Sequence, residues 1–248
     1  ESPEDFVRFA KRLRGEQRYE RYIFRGEPKL FDIPLAPSIL RDETNRELDQ
    51  VAFTALESRE IESARQRYIS GATIDRFINA FAPSMHPNDL NWLFYARHVG
   101  ALTRLIDVTR NPLVALYFAC NSDENEDGVV FAFLRGNFRP VERAYSDWLD
   151  QLDFPVHPID FPSLLSGQFD GGGNAETPYL ISPDQPQERL IAQHGEFVFF
   201  SDRTMTLVGR RQIIAATIEA EAKARILDDL KAFGVTSEFL FPNESRAA

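Results

Sequence analysis

The sequence predicts an α+β fold, a single domain in which a mixed and mostly antiparallel sheet is flanked by helices. Its 248 residues, of which 43% are hydrophobic, suffice for one large core. Predicted strands and helices alternate irregularly, which favours α+β over a doubly wound parallel sheet. No segment has the composition of a linker between two domains. We therefore treat residues 1–248 as one domain.

Helix signals are clearest where a capping residue precedes an apolar run. Ser2 and Pro3 are typical of a helix start, and Asn111 and Pro112 repeat that pattern. A segment without Gly or Pro and rich in Glu, Arg and Ala predicts a long helix. The helices predicted after the first one are 45–69, Asp89–Val99, Leu113–Cys120 and Glu219–Phe233.

Strand signals are short runs of apolar and β-branched residues bounded by Gly or polar residues. The predicted strands are Arg21–Arg25, Gly128–Leu134, Gly195–Ser201, Thr204–Val208 and Gln212–Ile218. The third and fourth are expected to pair as a hairpin. Residues 136–186 are rich in Pro and predict irregular structure, with a flexible Gly-rich loop at about 166–178.

Composition excludes several classes of protein. The formal net charge of −10 argues against a large nucleic-acid footprint, which needs a basic surface. One cysteine, Cys120, excludes an intrachain disulfide, and the four His lack metal-ligand spacing, so no metal is expected.

No apolar run reaches the roughly 20 residues of a membrane helix, and the charged N-terminal helix is unlike a secretory signal. We expect a cytoplasmic protein without membrane contact. Because the sequence begins at Glu1 and not at Met, a fragment of a longer protein is one reading.

The basic residues are almost all arginine, since Lys occurs only at 11, 29, 223 and 231 among 28 basic residues. Codon usage explains such a bias in general. Alternatively, some of the arginines line a site for an anionic ligand, because the guanidinium fork suits phosphates and carboxylates.

Three segments place polar side chains where chemistry is plausible. The first is Phe24-Arg25-Gly26, in which an Arg ends a strand and a Gly lets a ligand approach the backbone. The alternative for Arg25 is a surface ion pair.

The second segment, His98–Pro112, sets polar residues within apolar sequence. Burial of Arg104 or Asp107 alone is costly, so we expect them to pair with each other or with another charge. A structural clamp of Arg104 on Asp107, ordering the turn before the apolar helix, and a ligand role stay open.

The third segment, Arg189–Phe197, places Arg189, Gln193 and His194 ahead of a strand. The alternative is a helical turn with an exposed face.

Together these segments closely resemble the FRG domain family, named for its Phe-Arg-Gly motif. The resemblance rests on Phe24–Gly26, Leu35–Arg41, His98–Ala119, Arg189–Phe197 and Leu240–Pro242, and spans about 20–240. The sequence departs from the family where Gln-His-Tyr-Gly is usual, since Arg97-His98-Val99-Gly100 stands there.

The resemblance implies a bacterial or phage-associated toxin or defence effector. The early strand-end Arg also looks similar to ADP-ribosyltransferase-like folds, which implies an NAD-using enzyme with an Arg-lined pocket for the dinucleotide pyrophosphate. NAD is then the substrate, a protein or nucleic acid is the acceptor, and an antitoxin or other regulatory partner is expected.

This interpretation assigns roles to residues of the three segments. Catalysis is assigned to Arg25, Glu57 and His98, and binding of the dinucleotide to Arg25, Thr103, Arg104, Arg189 and Gln193. Glu57 is preferred over three other carboxylates because an acid facing a ligand in mid-helix is unusual; the others are Glu27, Glu196 and Glu238.

Two other functions are weighed against this enzyme. One is a non-catalytic module whose Arg pocket binds a nucleotide, a nucleic acid or a phosphorylated partner. A metal-dependent nuclease is disfavoured, because no compact acidic triplet lies beside the three segments.

Overall fold

The computed structural model describes residues 3–12, 22–70, 90–141, 164–165, 178–183, 188–200, 207 and 213–242. Most of the predicted strand Thr204–Val208 and of the loop 166–178 lies outside these residues, as does the predicted cap Ser2.

A seven-stranded sheet forms the centre of the fold. Its strands are β1 (Tyr22–Glu27), β2 (Leu105–Thr109), β3 (Gly128–Leu134), β4 (Arg139–Pro140), β5 (Tyr179–Ile181), β6 (Gly195–Phe199) and β7 (Ile213–Ile218). The strand order is β4-β5-β6-β2-β1-β3-β7. Every pairing is antiparallel except that of β4 with β5. The predicted α+β class with a mixed, mostly antiparallel sheet is confirmed.

Eight α-helices belong to the described part of the chain. They are α1 (Pro3–Arg12), α2 (Glu43–Arg46), α3 (Gln50–Ile69), α4 (Asn91–His98), α5 (Pro112–Cys120), α6 (Glu188–Ala192), α7 (Lys223–Ala232) and α8 (Ser237–Leu240). The predicted cap of α5 is confirmed, because the Asn111 side chain accepts a hydrogen bond from the Leu113 N–H.

The helices cover two halves of the same sheet face. Helices α3 and α4 pack on β2, β5 and β6 through a cluster that includes Leu105, Phe197 and Phe199. Helices α1, α5 and α7 pack on β1, β3 and β7 through a second cluster that includes Phe24 and Val130. The boundary between the two groups falls at β1 and β2, in the middle of the sheet.

Three details of the predicted secondary structure were wrong. The segment around Asp107 was expected to be a turn, but it forms the central strand β2. The predicted helix 45–69 is two helices, because Asp49 caps a new helix by accepting from the Ala52 N–H. The region 136–186 contributes the short strands β4 and β5. Among the described residues, no helix is both long and apolar enough to cross a membrane.

Candidate functional site

A cleft of about 580 Å³ opens where β1 and β2 separate. The two strands are paired only at Phe24 and Thr109, whereas β1 pairs with β3 along its whole length. Beyond Phe24 the edges of the two strands are open to side chains. The cleft therefore lies at the split in the sheet, next to the boundary between the two groups of helices.

Gly26 is required because helix α5 lies directly against β1. A Cβ atom at this position would lie 1.9 Å from the Ala115 carbonyl oxygen and 2.7 Å from the Ala119 nitrogen. Gly128 on β3 has the same role, since its Cβ would lie 2.2 Å from the Ala119 carbonyl oxygen. The glycine of the Phe-Arg-Gly motif thus sets the distance between α5 and the sheet.

Arg25 fills the split between the two strands. Its Nη1 donates to the Asp107 carbonyl oxygen of β2 at 2.8 Å, and its Nε donates to Oε1 of Glu27 at 3.0 Å. The side chain is only 13% exposed. Nη2 has no hydrogen-bond partner among the residues that the structure describes. Arg25 is therefore held rigidly, with one donor group left for a ligand.

Glu27 is a carboxylate partner that Arg25 and Arg41 share. It is fully buried, and its Oε1 also accepts from Nη2 of Arg41 at 3.4 Å. Its Oε2 accepts from the Leu35 N–H at 3.4 Å, and Leu35 has a left-handed backbone with φ of 59°. The turn at Leu35 thus brings the loop that carries Arg41 back over β1. Arg41 in turn lies 4.0 Å above the ring of Phe31.

Asp107 and Arg97 face each other inside the cleft. Arg97, in the last turn of α4, donates through Nε and Nη2 to Oδ2 of Asp107. Desolvation of the Asp107 carboxyl opposes its ionisation, but the charges of Arg97, Arg25 and Arg189 outweigh it and lower the pKa of Asp107. The Asp107 side chain is 49% exposed, and Oδ1 has no partner in the described part of the chain.

Helix α6 and the turn after it form another wall of the cleft. Arg189 lies 4.6 Å above the ring of Phe241, and Nε2 of Gln193 donates to the Leu240 carbonyl oxygen at 3.2 Å. The hydroxyl of Thr109 donates to the Gln193 carbonyl oxygen at 2.6 Å, which ties this turn to the end of β2. His98 lines the cleft beside Arg97.

The lining of the cleft holds four arginines and four carboxylates, and the carboxylates are Glu27, Asp107, Asp123 and Glu196. Desolvation and the neighbouring charge of Arg25 lower the pKa of Arg41, and the charge of Arg97 adds to this effect. An arginine remains protonated at neutral pH despite such a shift. An anionic ligand in the cleft would offset the repulsion that acts on Arg41. Four arginines line the cleft: Arg25, Arg41, Arg97 and Arg189.

Four of the residues assigned to the site from the sequence line this cleft, namely Arg25, His98, Arg189 and Gln193. The other three do not. Thr103, Arg104 and Glu57 are all fully buried.

Arg104 and Glu57 form a sealed ion pair. The Arg104 N–H donates to Oε1 of Glu57 at 2.6 Å, and Nε donates to Oε2 at 2.5 Å. Nη2 of Arg104 donates to the Leu165 carbonyl oxygen at 2.9 Å. The expected clamp of Arg104 on Asp107 is wrong, and each of them pairs with another charge instead, which was the open alternative.

Sequence reasoning left out several residues of the cleft. Neither Arg97 nor Asp107 was assigned a role at the site, although Arg97 was noted as a departure from the family pattern and Asp107 as part of a clamp. A signal for both was present, because Arg97 stands in a last helical turn and Asp107 interrupts an apolar run. Their pairing across ten positions was not visible in either pattern.

Other chemistry is limited in the described part of the chain. No group of three His, Cys, Asp or Glu side chains is arranged to hold a metal ion there. Burial raises the pKa of the Cys120 thiol to about 12, which leaves it protonated and unreactive at neutral pH.

The FRG domain family model matches residues 20–128. Over these residues the chain is similar to the FRG domain family. This range contains β1 to the start of β3, and with them Arg25, Arg41, Arg97 and Asp107. The segments Arg189–Phe197 and Leu240–Pro242, on which the resemblance also rests, lie outside the matched range. No curated protein and no solved structure matches the chain.

Proposed function

We propose that the cleft of this protein binds a nucleotide through its phosphates, and that the protein is an ADP-ribosyltransferase-like enzyme with NAD as its substrate. The observation that carries the proposal is the convergence of Arg25, Arg41, Arg97 and Arg189 on one cleft. Arginine binds phosphate oxygens with two parallel hydrogen bonds, which gives both strength and orientation.

The size and lining of the cleft support a ligand larger than a phosphate ion. Small-molecule sites usually have volumes of about 300 to 1,000 Å³, and the cleft has about 580 Å³. Aromatic rings of Phe31, Phe94, Phe118 and Phe197 line it beside the arginines. Charged groups for phosphates next to flat apolar surfaces for rings suit a nucleotide.

The proposed reaction breaks the bond between C1′ of ribose and the nicotinamide nitrogen of NAD. The electron pair leaves with nicotinamide, whose ring loses its positive charge, and positive charge develops on the ribose. A hydroxyl or amino group of the acceptor, or water, then bonds to C1′ and releases a proton to solvent. Asp107 is the carboxylate proposed to stabilise the ribose cation, because it is ionised and half exposed in the cleft.

The remaining cleft residues bind and orient in this proposal. Arg25 and Arg97 hold the pyrophosphate, and His98 and the amide oxygen of Gln193 contact the ribose or the nicotinamide amide. Glu57, Thr103 and Arg104 maintain the fold, since they are buried away from the cleft.

The test compares Arg25→Lys with the wild-type protein. Lysine keeps the charge but has a single nitrogen in place of the planar fork, so it cannot hold Glu27 and the Asp107 carbonyl and also present a separate donor group to a ligand. With labelled NAD and cell extract, we expect nicotinamide release to fall at least tenfold, while Arg67→Lys on the exposed face of α3 behaves like the wild type. Absence of both nicotinamide release and label transfer in the wild type would exclude the enzyme.

A second candidate is a non-catalytic nucleotide-binding module. The observation that favours it is that the arginines already bind the carboxylates of the cleft, since Arg25 and Arg41 hold Glu27 and Arg97 holds Asp107. Calorimetric binding of ADP-ribose that is lost in Arg25→Lys, without any nicotinamide release by the wild type, would select the module.

The proposed biological role is that of a bacterial toxin or phage-defence effector, as the resemblance implies. Expression in a bacterial host is then expected to arrest growth, and Arg25→Lys is expected to relieve the arrest. Growth arrest that persists in the variant would separate toxicity from the cleft.

A further inference from the structure

Glu196 has a buried carboxylate oxygen that lacks a hydrogen bond. The residue lies on β6, lines the cleft and is only 3% exposed. Oε1 accepts from Nη2 of Arg135 at 2.7 Å and from the Ser182 hydroxyl at 2.8 Å. Oε2 has no partner among the described residues. Folded proteins leave few such atoms unsatisfied, because each one costs free energy.

The two bonds to Oε1 fix the direction of the carboxylate. Arg135 lies just after β3 and Ser182 just after β5, so the partners of Glu196 come from strands on opposite flanks of β6. A carboxylate held in this way loses little further freedom when it accepts a hydrogen bond from a ligand. Oε2 is thus a preorganised acceptor on a residue that lines the cleft.

The strand register places Glu196 opposite Arg25. Phe24 pairs with Thr109, and Val108 pairs with Glu196, so Arg25 and Glu196 belong to the same row across β1, β2 and β6. Because β1 and β2 separate beyond Phe24, their backbones lie at least two strand spacings apart, which is roughly 10 Å or more. Strand alternation also places Arg25 on the sheet face of Ile23, and Glu196 on that of Val198, which share one core cluster. The donor Arg25 and the unsatisfied acceptor Glu196 therefore belong to the lining of the same cleft.

We propose that Glu196 is a specificity residue that accepts a hydrogen bond from a hydroxyl or amino group of the bound ligand. The inference rests on the proposed nucleotide binding and narrows its ligand. The ligand has a phosphate for Arg25 and a donor for Glu196, and the two groups are on the order of 10 Å apart. Nucleoside phosphates have both features, whereas inorganic pyrophosphate has only the first.

The experiment measures the dissociation constants of ADP and of pyrophosphate by calorimetry. The variant is Glu196→Gln, because its amide oxygen can still accept from Arg135 and Ser182 while its NH₂ group replaces Oε2. The matched control is Glu126→Gln, which removes one negative charge from the exposed turn after α5. We expect Glu196→Gln to weaken ADP binding by about tenfold to a hundredfold, as for a hydrogen bond to a charged group. Pyrophosphate binding should change no more than in the control.

A ligand series on the wild-type protein gives the same test if Glu196→Gln does not fold. ADP, 2′,3′-dideoxy-ADP and an ADP analogue without the exocyclic amine differ only in their donors. At least one of the two analogues is expected to bind at least tenfold more weakly than ADP.

The outcomes separate this inference from the proposed function. If ADP and pyrophosphate bind the wild type and Glu196→Gln weakens both no more than the control does, the role of Glu196 is wrong and the phosphate site stands. Equal binding of ADP and both analogues has the same meaning. If the wild type binds neither ADP nor pyrophosphate, both proposals are overturned.

Discussion

Two arginine–carboxylate pairs lie close together in this chain and differ in almost every other respect. In the pair of Arg104 with Glu57 the side chains are 1% and 0% exposed. In the pair of Arg97 with Asp107 they are 22% and 49% exposed. Arg104 directly precedes β2 and Asp107 lies within it, so three positions of sequence separate a sealed interior from an open cleft.

The difference in exposure between the two pairs indicates which arginines are available to a ligand. Both carboxylate oxygens of Glu57 accept from Arg104, whose guanidinium also lies 5.4 Å from the ring of Phe53 and 5.1 Å from that of Phe199. In the open pair both bonds end on one oxygen of Asp107. The sealed pair has its polar groups satisfied by the protein, whereas the open pair keeps an acceptor for chemistry.

The sealed pair should give the largest loss of stability. Glu57→Gln leaves Arg104 buried without a counter-charge, and we expect the free energy of unfolding to fall by about 3 to 5 kcal/mol. Glu62→Gln on the same helix, whose partner Arg65 is a surface neighbour, should cost less than about 1 kcal/mol. Urea unfolding measures both. Equal, small losses would show that burial does not distinguish the two kinds of pair.

Lys223 is buried like Arg104, but its hydrogen bonds go to segments at the rim of the open cleft. Its ammonium group is buried and donates to the carbonyl oxygens of Pro28 at 2.5 Å, Ser122 at 3.0 Å and Asp123 at 2.8 Å. Lys223→Met removes these bonds between two segments that line the cleft, and we expect a loss of about 2 to 3 kcal/mol.

The exposed Lys231 on the same helix supplies the control Lys231→Met. Hydrogen exchange should increase at 28–31 and 121–123 only in the Lys223 variant. Unchanged exchange at both segments would show that Lys223 does not fix the rim.

The open pair should matter for activity more than for stability. Asp107→Asn is expected to change the free energy of unfolding by less than about 1 kcal/mol, because the side chain is half exposed. Nicotinamide release should fall at least tenfold, while the dissociation constant of ADP-ribose should not rise, since a negative charge next to the phosphates is removed. A loss of stability as large as that of Glu57→Gln would show that the open pair and the sealed pair contribute equally to stability.

The smallest effect is the pH dependence of the open pair. The pKa of Asp107 is lower in the folded protein than its ordinary value of 3.8. Its contribution to stability is therefore complete above the unfolded pKa and is lost as the pH falls through the lower folded pKa. The difference in unfolding free energy between the wild type and Asp107→Asn should be constant from about pH 5 to 8 and shrink below about pH 4. A difference that grows on acidification would mean that Asp107 is protonated in the fold.

The fold was largely predictable because its elements follow local patterns. Strand β3 matches its predicted bounds, Gly128–Leu134, since its apolar run is bounded by an acidic turn. Strand β2 was not predicted, because Asp107 interrupts its apolar sequence and looks like the start of a turn. Only the distant Arg97 and Arg25 make a carboxylate acceptable in a central strand.

The site was predictable in part for the same reason. Arg25 was found because a Gly follows it, and Arg189 because it belongs to a resembling segment. Glu57 was misleading, since its position in mid-helix signals burial, and the partner that explains it lies 47 positions further on. Patterns within one element show that a polar residue is unusual but do not show which other element satisfies it.

The close contact of α5 with Gly26 also fixes the register of β1. Neighbouring strand residues point to opposite faces, so Phe24 enters the core under α5, Arg25 enters the cleft, and Gly26 leaves room for the helix. A slip of one residue would drive the guanidinium into the helix backbone. The sequence Phe24-Arg25-Gly26 therefore allows only one register of β1 against α5. In other chains with this motif, we expect the position of the glycine to identify the cleft arginine more reliably than that of the phenylalanine.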